Sequence, residues 1–252
     1  ETFKGKSGAA QKVRRLIEVA ATAEEFAKVP VLILGPTGAG KEVVAKAIHH
    51  LGRGAAGGTF VDVNCAAIAQ DMFEAELFGA APDAATGAAA RIGLWELASK
   101  GRGTLFLNEI GELSPPHQAK ILRALEEDAI RRVGGRENIP VSARVISDTN
   151  RELFEMSRRG EFREDLAQRL ARVVIRVPGL AERRDDIEAH AQELWREKVT
   201  RRPDARLSSE IISILSVHSW PGSVRELRGL LETTYALCYP DLRPDAQAIY
   251  EA

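Results

Sequence analysis

A glycine-rich stretch in the first fifth of the chain has the residue types and spacing to hold phosphate. It reads GPTGAGK from Gly35 to Lys41, follows an apolar run at 29–35 and leads into a segment of helical periodicity at 40–51. Glycines let successive backbone N–H groups point into one concavity, while the helix N-terminus adds its dipole and the lysine reaches the outer phosphates. A plain strand-to-helix turn is the alternative, but the full spacing in this context favours phosphate binding. The candidate nucleotide-binding residues here are Gly35, Pro36, Thr37, Gly38, Ala39, Gly40, Lys41 and Glu42.

A second stretch, TLFLNE, ends in Asn108 and Glu109. Ligands of parallel sheets lie beyond the carboxyl ends of the strands, so we expect this stretch to converge with the glycine-rich loop. Two acidic residues there would hold Mg²⁺, directly or through water, and activate a water molecule. Glu109 is the candidate general base. Asn108 keeps the shape of Asp but not its charge, so we expect a weak metal site, retained ATP binding and impaired hydrolysis.

The metal site departs from the general phosphate-loop pattern at one further position. Glu42 follows Lys41, where the general pattern has a Ser or Thr hydroxyl as a Mg²⁺ ligand. The metal therefore depends more on other ligands and on water.

The elements that must position these residues alternate along the chain. Apolar or β-branched runs at 29–35, 59–64, 103–108, 143–149 and 172–178 are separated by segments of helical periodicity such as 40–51 and 116–128. This alternation predicts an α/β fold with a parallel sheet covered on both faces. Beyond 178 only helical segments follow, at about 183–199, 208–218 and 223–236. We therefore predict a nucleotide-binding core at 1–180 and a small helical domain at 181–252.

Composition excludes several classes of protein. The 252 residues have a formal net charge of −1 and 44 % hydrophobic residues, so no global basic field indicates nucleic-acid binding. No apolar run approaches the length of a membrane span, and the N-terminus does not resemble a signal peptide. Two distant cysteines favour a reducing, cytoplasmic setting. The five histidines lack metal-ligand spacing, and Cys65 is expected to be a small buried residue.

Eight motifs occur in an order that resembles one family. They are GPTGAGKE (35–42), NCAAI (64–68), ELFG (76–79), GTLFLNEIGEL (103–113), RRVGG (131–135), FREDLAQRL (162–170), VPGLAERRDDI (177–187) and WPGSVREL (220–227). Together they resemble the AAA+ domain of bacterial enhancer-binding proteins, the ATPases that activate sigma-54 RNA polymerase. The resemblance covers nearly the whole chain, and Glu42 after the loop lysine fits this family. It implies a P-loop α/β core of five parallel strands with a helical lid, ATP and Mg²⁺ as cofactors, and a hexameric or heptameric ring.

The resemblance also implies roles for residues around the phosphates. Lys41 would bind the phosphates, Asn108 stands at the metal-site Asp position, and Glu109 stands at the catalytic base. Asn64 matches the residue that pairs with this glutamate and switches it between states. An alternative for Asn64 is that it only satisfies backbone groups at a strand end.

Further roles follow from the resemblance at four positions. Asn150 matches the sensor of the γ-phosphate, although it could also cap a helix beginning at Arg151. Arg163 and Arg169 match arginine fingers that act on the nucleotide of the neighbouring subunit, and Arg225 matches the second sensor in the lid. From the residues alone, the default interpretation of each of these arginines is a solvated surface side chain. Ser223 is a candidate helix cap beside Arg225.

A surface loop of this family reads Gly-Ala-Phe-Thr-Gly-Ala, and its Phe touches sigma-54. The matching stretch in this chain is Asp83, Ala84, Ala85, Thr86, Gly87 and Ala88. Ala85 replaces the aromatic anchor, and Asp83 adds a charge at the loop base. Because partner contacts usually need a large anchor, we expect the usual sigma-54 contact to be weakened here. The retained Thr-Gly pair is typical of a loop that moves with the nucleotide state.

These departures leave several functional interpretations open. The leading one is an ATP-driven ring that moves the 80–90 loop against a transcription partner, with DNA bound only through domains outside this chain. A nucleotide-gated assembly module that does not remodel sigma-54 is the main alternative, and a general protein remodeller is another. Asn108 is compatible with three explanations. The residue could result from an introduced Asp→Asn change, the chain could be a natural member of the family with a different target, or it could be a degenerate ATPase.

Overall fold

The computed structural model describes residues 3–26, 28–82, 90–199, 206–239 and 244–252. Within these residues the chain forms two compact units. The first contains residues 16–34 and 41–176. The second contains the described residues of 2–15, 35–40 and 177–252. The glycine-rich loop thus groups with the second unit, whereas Lys41 groups with the first.

The first unit is built on a five-stranded parallel sheet, which confirms the predicted fold class. The strands of the chain are β1 Val31–Leu34, β2 Phe60–Asn64, β3 Gly79–Ala80, β4 Arg91–Ile92, β5 Thr104–Asn108, β6 Ala129–Ile130, β7 Ile139–Pro140, β8 Arg144–Thr149 and β9 Val173–Arg176. The spatial order of the five-stranded sheet is β2-β5-β8-β1-β9, and every neighbouring pair is parallel. Two short antiparallel pairs, β3 with β4 and β6 with β7, accompany it.

Helices flank the strands in the first unit and dominate the second. The α-helices are α1 Gly8–Thr22, α2 Lys41–Leu51, α3 Gln70–Phe78, α4 Leu94–Ser99, α5 Pro115–Glu127, α6 Leu153–Arg158, α7 Glu164–Leu170, α8 Ile187–Lys198, α9 Ser209–Val217, α10 Ser223–Leu237 and α11 Ala246–Glu251. Short 3₁₀ helices occupy Glu24–Phe26, Arg53–Ala56, Ile110–Glu112 and Leu180–Asp186.

The central strands β1 and β5 are continuous buried runs because the middle of the sheet is covered on both faces, whereas the edge strands β2 and β9 have exposed residues. Val31 to Leu34 are all buried, and Thr104 to Leu107 are buried as well. Apolar residues of β5 pack with those of α3, α4, α5 and α7 in one core cluster that contains Phe73, Trp95 and Ile121. On β5, the partly exposed residue is Asn108 at the carboxyl end of the strand.

The second unit has its own apolar core. Trp195 of α8, Trp220 before α10 and Ile249 of α11 belong to one buried cluster with residues of α9. Helix α11 has no counterpart in the sequence-based prediction, because its six residues are too few for a clear periodicity.

Candidate functional site

Lys41 is buried beside a carboxylate of the central sheet. It is the first residue of α2, and its side chain is 6 % exposed. Its Nζ atom lies 3.6 Å from Oδ2 of Asp148, on β8, which is itself 4 % exposed. The lysine that follows the glycine-rich loop thus meets an acidic group at the carboxyl end of the sheet.

No role for Asp148 follows from the sequence, where only Asn150, two residues later, matches a functional position of the family. Burial raises the pKa of the Asp148 carboxyl to about 6, although the Glu109 N–H and the Lys41 charge act in the opposite direction. A carboxylate inside an otherwise buried strand is costly unless it is paired or used. The sequence shows an acidic residue in this strand but not its burial, since only the structure shows that every side chain from Arg144 to Thr149 is buried.

Glu109, the candidate base, lies directly after β5 in an unusual backbone conformation. Its φ is 57° and its ψ is 50°, the left-handed region that costs a non-glycine residue about 1–2 kcal/mol. Its backbone N–H donates a 2.9 Å hydrogen bond to Oδ1 of Asp148. Such conformations cluster at functional sites, where the surroundings hold them in place. Asp148 therefore links Lys41 to the backbone of Glu109.

Asn108 and Asn64 end neighbouring strands at the same register position. The Asn108 carbonyl oxygen accepts a 2.9 Å hydrogen bond from the backbone N–H of Cys65. The Asn64 side-chain oxygen accepts from the backbone N–H groups of Ala66 at 2.9 Å and Ala67 at 3.2 Å. Asn64 thus satisfies backbone groups at the strand end in this state, and its switch role stays a prediction.

Cys65 behaves as the small buried residue that the sequence predicts. Its side chain is buried, and burial raises the pKa of its thiol to about 12.

Asn150 follows the last residue of β8 and is exposed. The expected helix cap is wrong in detail, since α6 begins at Leu153 and has Glu152 at its N-cap position. The turn is instead closed by Thr149, whose hydroxyl accepts a 3.0 Å hydrogen bond from the Arg151 N–H. The sensor role of Asn150 stays a prediction.

The two candidate arginine fingers lie at the ends of α7. Arg163 is at the N-cap position and exposed, with its guanidinium 2.7 Å from the carboxylate of Asp165. Arg169 is half-buried, and one of its N–H groups donates to the Leu125 carbonyl at 2.7 Å. Both arginines are therefore held by neighbours of the first unit in the isolated chain, which leaves a role in trans as a prediction.

The second unit brings the glycine-rich loop to the start of α10. Gly38 has a φ of +75°, and a Cβ atom there would overlap the Gly222 carbonyl oxygen and the Cβ atom of Arg225. Glycine is therefore required for both conformation and space. The predicted second sensor, Arg225, is exposed and lies beside the loop at this point.

Ser223 is not the helix cap that the sequence predicts. It is the first residue of α10, and Gly222 occupies the N-cap position. The Ser223 hydroxyl instead accepts a 2.9 Å hydrogen bond from the Leu180 N–H. The Glu226 carboxylate accepts a 2.8 Å hydrogen bond from the Gly222 N–H, which satisfies that backbone donor at the start of the helix.

Arg183 supports the same loop and was missed by the sequence-based analysis. It is 3 % exposed, donates a 3.0 Å hydrogen bond to the Ala39 carbonyl, and lies 4.8 Å from the ring centre of Phe3. Burial lowers the pKa of this guanidinium. In the sequence, Arg183 lies in the charged stretch ERRDD (182–186), and nothing in this pattern predicts that it is buried.

The partner loop Asp83, Ala84, Ala85, Thr86, Gly87 and Ala88 lies outside the described residues. Within the described residues, no cluster of three or more His, Cys, Asp or Glu side chains could hold a metal ion. Of the helices that the structure describes, none is long and apolar enough to cross a membrane.

Comparison with known families matches both parts of the chain. Residues 3–176 match the sigma-54 interaction domain, and residues 181–247 match the AAA+ ATPase lid domain. The chain therefore belongs to the AAA+ ATPase family of sigma-54 interaction domains, as the motifs predict.

Individual relatives agree with this assignment. The Nif-specific regulatory protein of Klebsiella pneumoniae is 44 % identical over 239 residues, which cover 94 % of this chain and 44 % of that protein. NtrX from Brucella abortus in complex with ADP matches with a TM-score of 0.84 and 38 % identity, over 96 % of this chain and 52 % of that one. The ATP complex of the same NtrX gives a TM-score of 0.83 and 36 % identity, over 98 % and 57 %. The chain thus spans about half the length of the relatives it matches.

Proposed function

We propose that this chain binds and hydrolyses ATP within a ring of identical subunits and uses the cycle to remodel sigma-54 RNA polymerase. The observation that carries the proposal is the cluster of Lys41, Asp148 and Glu109 at the carboxyl end of the sheet, where α/β proteins bind nucleotides. Membership in the sigma-54 interaction family supports the choice of partner. Nucleotide complexes of NtrX support the choice of ligand.

Lys41 and Glu109 have distinct tasks in this proposal. Lys41 neutralises charge on the outer phosphates, together with the backbone N–H groups of the glycine-rich loop. Glu109 orients the attacking water and accepts its proton. Asn150 and Arg225 are the proposed sensors of the phosphates. Mg²⁺ fits this donor set, because it prefers a few oxygen ligands from the protein and takes the rest from phosphates and water.

Assembly supplies the remaining groups. Arg163 is exposed at one end of α7, so an approaching phosphate of a neighbouring subunit can displace Asp165 from its guanidinium. Arginines that act in trans make hydrolysis depend on assembly, which is why we propose a hexameric or heptameric ring. The 83–88 loop is the proposed contact with sigma-54, and Ala85 predicts that this contact is weak. DNA recognition is assigned to other domains, and the proposed location is the cytoplasm.

A second candidate is a nucleotide-gated assembly module that hydrolyses ATP weakly and does not bind sigma-54. Asn108 favours this candidate, because an amide replaces the carboxylate expected at the metal site. Ala85 in the partner loop favours it as well.

Light scattering after size-exclusion chromatography separates the two candidates. The chain is loaded with ADP and aluminium fluoride, both with and without purified sigma-54. Lys41→Ala, which should no longer bind nucleotide, is the control. Our proposal predicts assemblies of six or seven chains that carry sigma-54 and are missing for Lys41→Ala. Assemblies that form without sigma-54 would support the second candidate. No nucleotide-dependent assembly at all would contradict both.

A further inference from the structure

The end of β5 lacks a carboxylate, but the neighbouring strand provides one. Leu107 of β5 and Ser147 of β8 are register partners, so the next position on each strand holds Asn108 and Asp148. Partnered residues on adjacent parallel strands project from the same face of a sheet. On its other side, Asp148 is the register partner of Ile33, two residues before the glycine-rich loop. Asp148 thus lies between the strand of the candidate base and the strand that leads into the phosphate loop.

The contacts of Asp148 tie it to both of these strands. One oxygen accepts the Glu109 N–H at 2.9 Å, and the other lies 3.6 Å from the Lys41 Nζ atom. A carboxylate whose side chain is 4 % exposed would be replaced at little cost by an apolar residue if the strand needed only packing. Its contacts instead orient it towards the one lysine that is expected to bind phosphate.

We propose that Asp148 supplies the metal-site carboxylate that Asn108 lacks. The acidic group then lies on β8, the strand next to β5 in the sheet. This inference rests on the proposed function, because it concerns Mg²⁺ bound together with ATP. Asp148 contributes the charge, and Asn108 contributes a neutral oxygen. The pair carries the same total charge as an aspartate at 108 beside a neutral residue at 148.

This assignment changes what is expected of hydrolysis. The sequence-based expectation of impaired turnover treats residue 108 as the source of the metal-site charge. With Asp148 in that role, Asn108 no longer predicts an inactive enzyme, and restoring an aspartate at 108 adds little. A purely structural Asp148 would only neutralise Lys41 and hold the Glu109 backbone.

The test measures how strongly Mg²⁺ assists nucleotide binding. Affinity for a fluorescent ATP analogue is titrated in excess Mg²⁺ and in EDTA, and Mn²⁺ uptake in the presence of ADP is followed by electron paramagnetic resonance. The variants are Asp148→Asn, Asn108→Asp and the swap of both. Glu112→Gln is the matched control, since this exposed carboxylate pairs with Arg151. Thermal unfolding establishes that each variant is folded.

We expect Mg²⁺ to raise the affinity of the parent chain at least tenfold. Asp148→Asn should lose this gain in affinity from Mg²⁺ but keep the affinity of the parent chain in EDTA. The variant with both residues swapped should recover the gain. Asn108→Asp alone should change the gain less than twofold. An undiminished gain in Asp148→Asn would overturn the inference. If Asp148→Asn fails to fold, a tenfold further gain in Asn108→Asp would overturn it instead. A parent chain that binds no nucleotide would contradict the proposed function. This result is distinguishable from the two results that overturn the inference, because in both of those the parent chain binds nucleotide.

Discussion

The Nζ atom of Lys41 lies 3.6 Å from Oδ2 of Asp148, and both side chains are almost entirely buried. Breaking a buried pair by removing one partner is costly, because the remaining charge is left without compensation. The contact therefore couples the stability of the first unit to the residue that is expected to bind phosphate.

Replacing Lys41 by methionine tests this coupling. We expect the free energy of unfolding to fall by about 3 kcal/mol, since Asp148 then remains buried without its partner. Adding Asp148→Asn to this variant should recover part of the loss, because the uncompensated charge is removed. Urea denaturation of the parent chain, both single variants and the double variant measures the coupling.

The control for this cycle is Lys46→Met. Lys46 forms a half-exposed pair with Glu42 one helical turn away, so its loss should cost well under about 1 kcal/mol. Equal losses for Lys41→Met and Lys46→Met would contradict a special role for the buried pair.

Gly38→Ala tests the packing of the glycine-rich loop. A methyl group there meets the Gly222 carbonyl in a left-handed backbone conformation, so we expect unfolding to become easier by about 1–2 kcal/mol. Nucleotide affinity should fall as well, because the loop must shift. Both quantities follow from denaturation and fluorescence titration.

Gly229→Ala is the matched control for the loop variant. Gly229 lies within α10 with open space around its Cβ position, so alanine should stabilise the helix by about 0.5–1 kcal/mol. If both glycine variants shifted stability in the same direction, the steric interpretation of Gly38 would be wrong.

Mixing experiments test whether Arg163 acts on a neighbouring subunit. Arg163→Ala should lower ATP turnover by about 10³-fold, because transition-state charge is no longer neutralised. A mixture with inactive Lys41→Ala should recover turnover, since one chain supplies the arginine and the other the intact phosphate site. Arg159→Ala is the control, because Arg159 pairs with Glu161 on the surface. A mixture as inactive as its two components would place Arg163 outside the neighbouring site.

The pH dependence of stability should reflect three histidines, one of which is His117, whose pKa is lowered by burial. Burial lowers the pKa of His49, helped by the charge of His50, and burial likewise lowers the pKa of His190. The unfolded chain therefore takes up protons at these histidines first as the pH falls below about 6.5, so the stability that they contribute at pH 7 is lost towards pH 5. Asp148 acts in the opposite direction, because its raised pKa of about 6 lets the folded chain bind that proton before the unfolded chain does.

His49→Gln should lessen the loss that the histidines cause, whereas His218→Gln at the surface serves as the comparison. A loss of the same size in His49→Gln and the parent chain would contradict the assignment.

The sheet was predictable from the sequence because its strands are apolar and separated by amphipathic helices. Val31–Leu34 and Thr104–Asn108 fall inside the predicted runs, and α2, α5, α9 and α10 match the predicted segments within two residues. The two-residue strands and α11 were not predicted, since short elements depend on tertiary contacts rather than on periodicity.

The candidate site was only partly predictable for a related reason. The glycine-rich loop, Lys41 and Glu109 have local signatures in spacing and residue type. Asp148 and Arg183 have none, because their importance comes from neighbours distant in the chain: Lys41 and Glu109 for the first, Ala39 for the second. Contacts of this kind follow from sheet order and packing, which the sequence pattern does not specify.

ATP hydrolysis measured across protein concentration tests the central claim most directly. The parent chain is compared with Glu109→Gln, which keeps the shape of the candidate base but cannot accept a proton. We predict that the parent chain turns over ATP, that its specific activity rises with concentration as rings form, and that Glu109→Gln binds ATP without turnover. A parent chain that binds ATP but remains inactive at every concentration would contradict the claim.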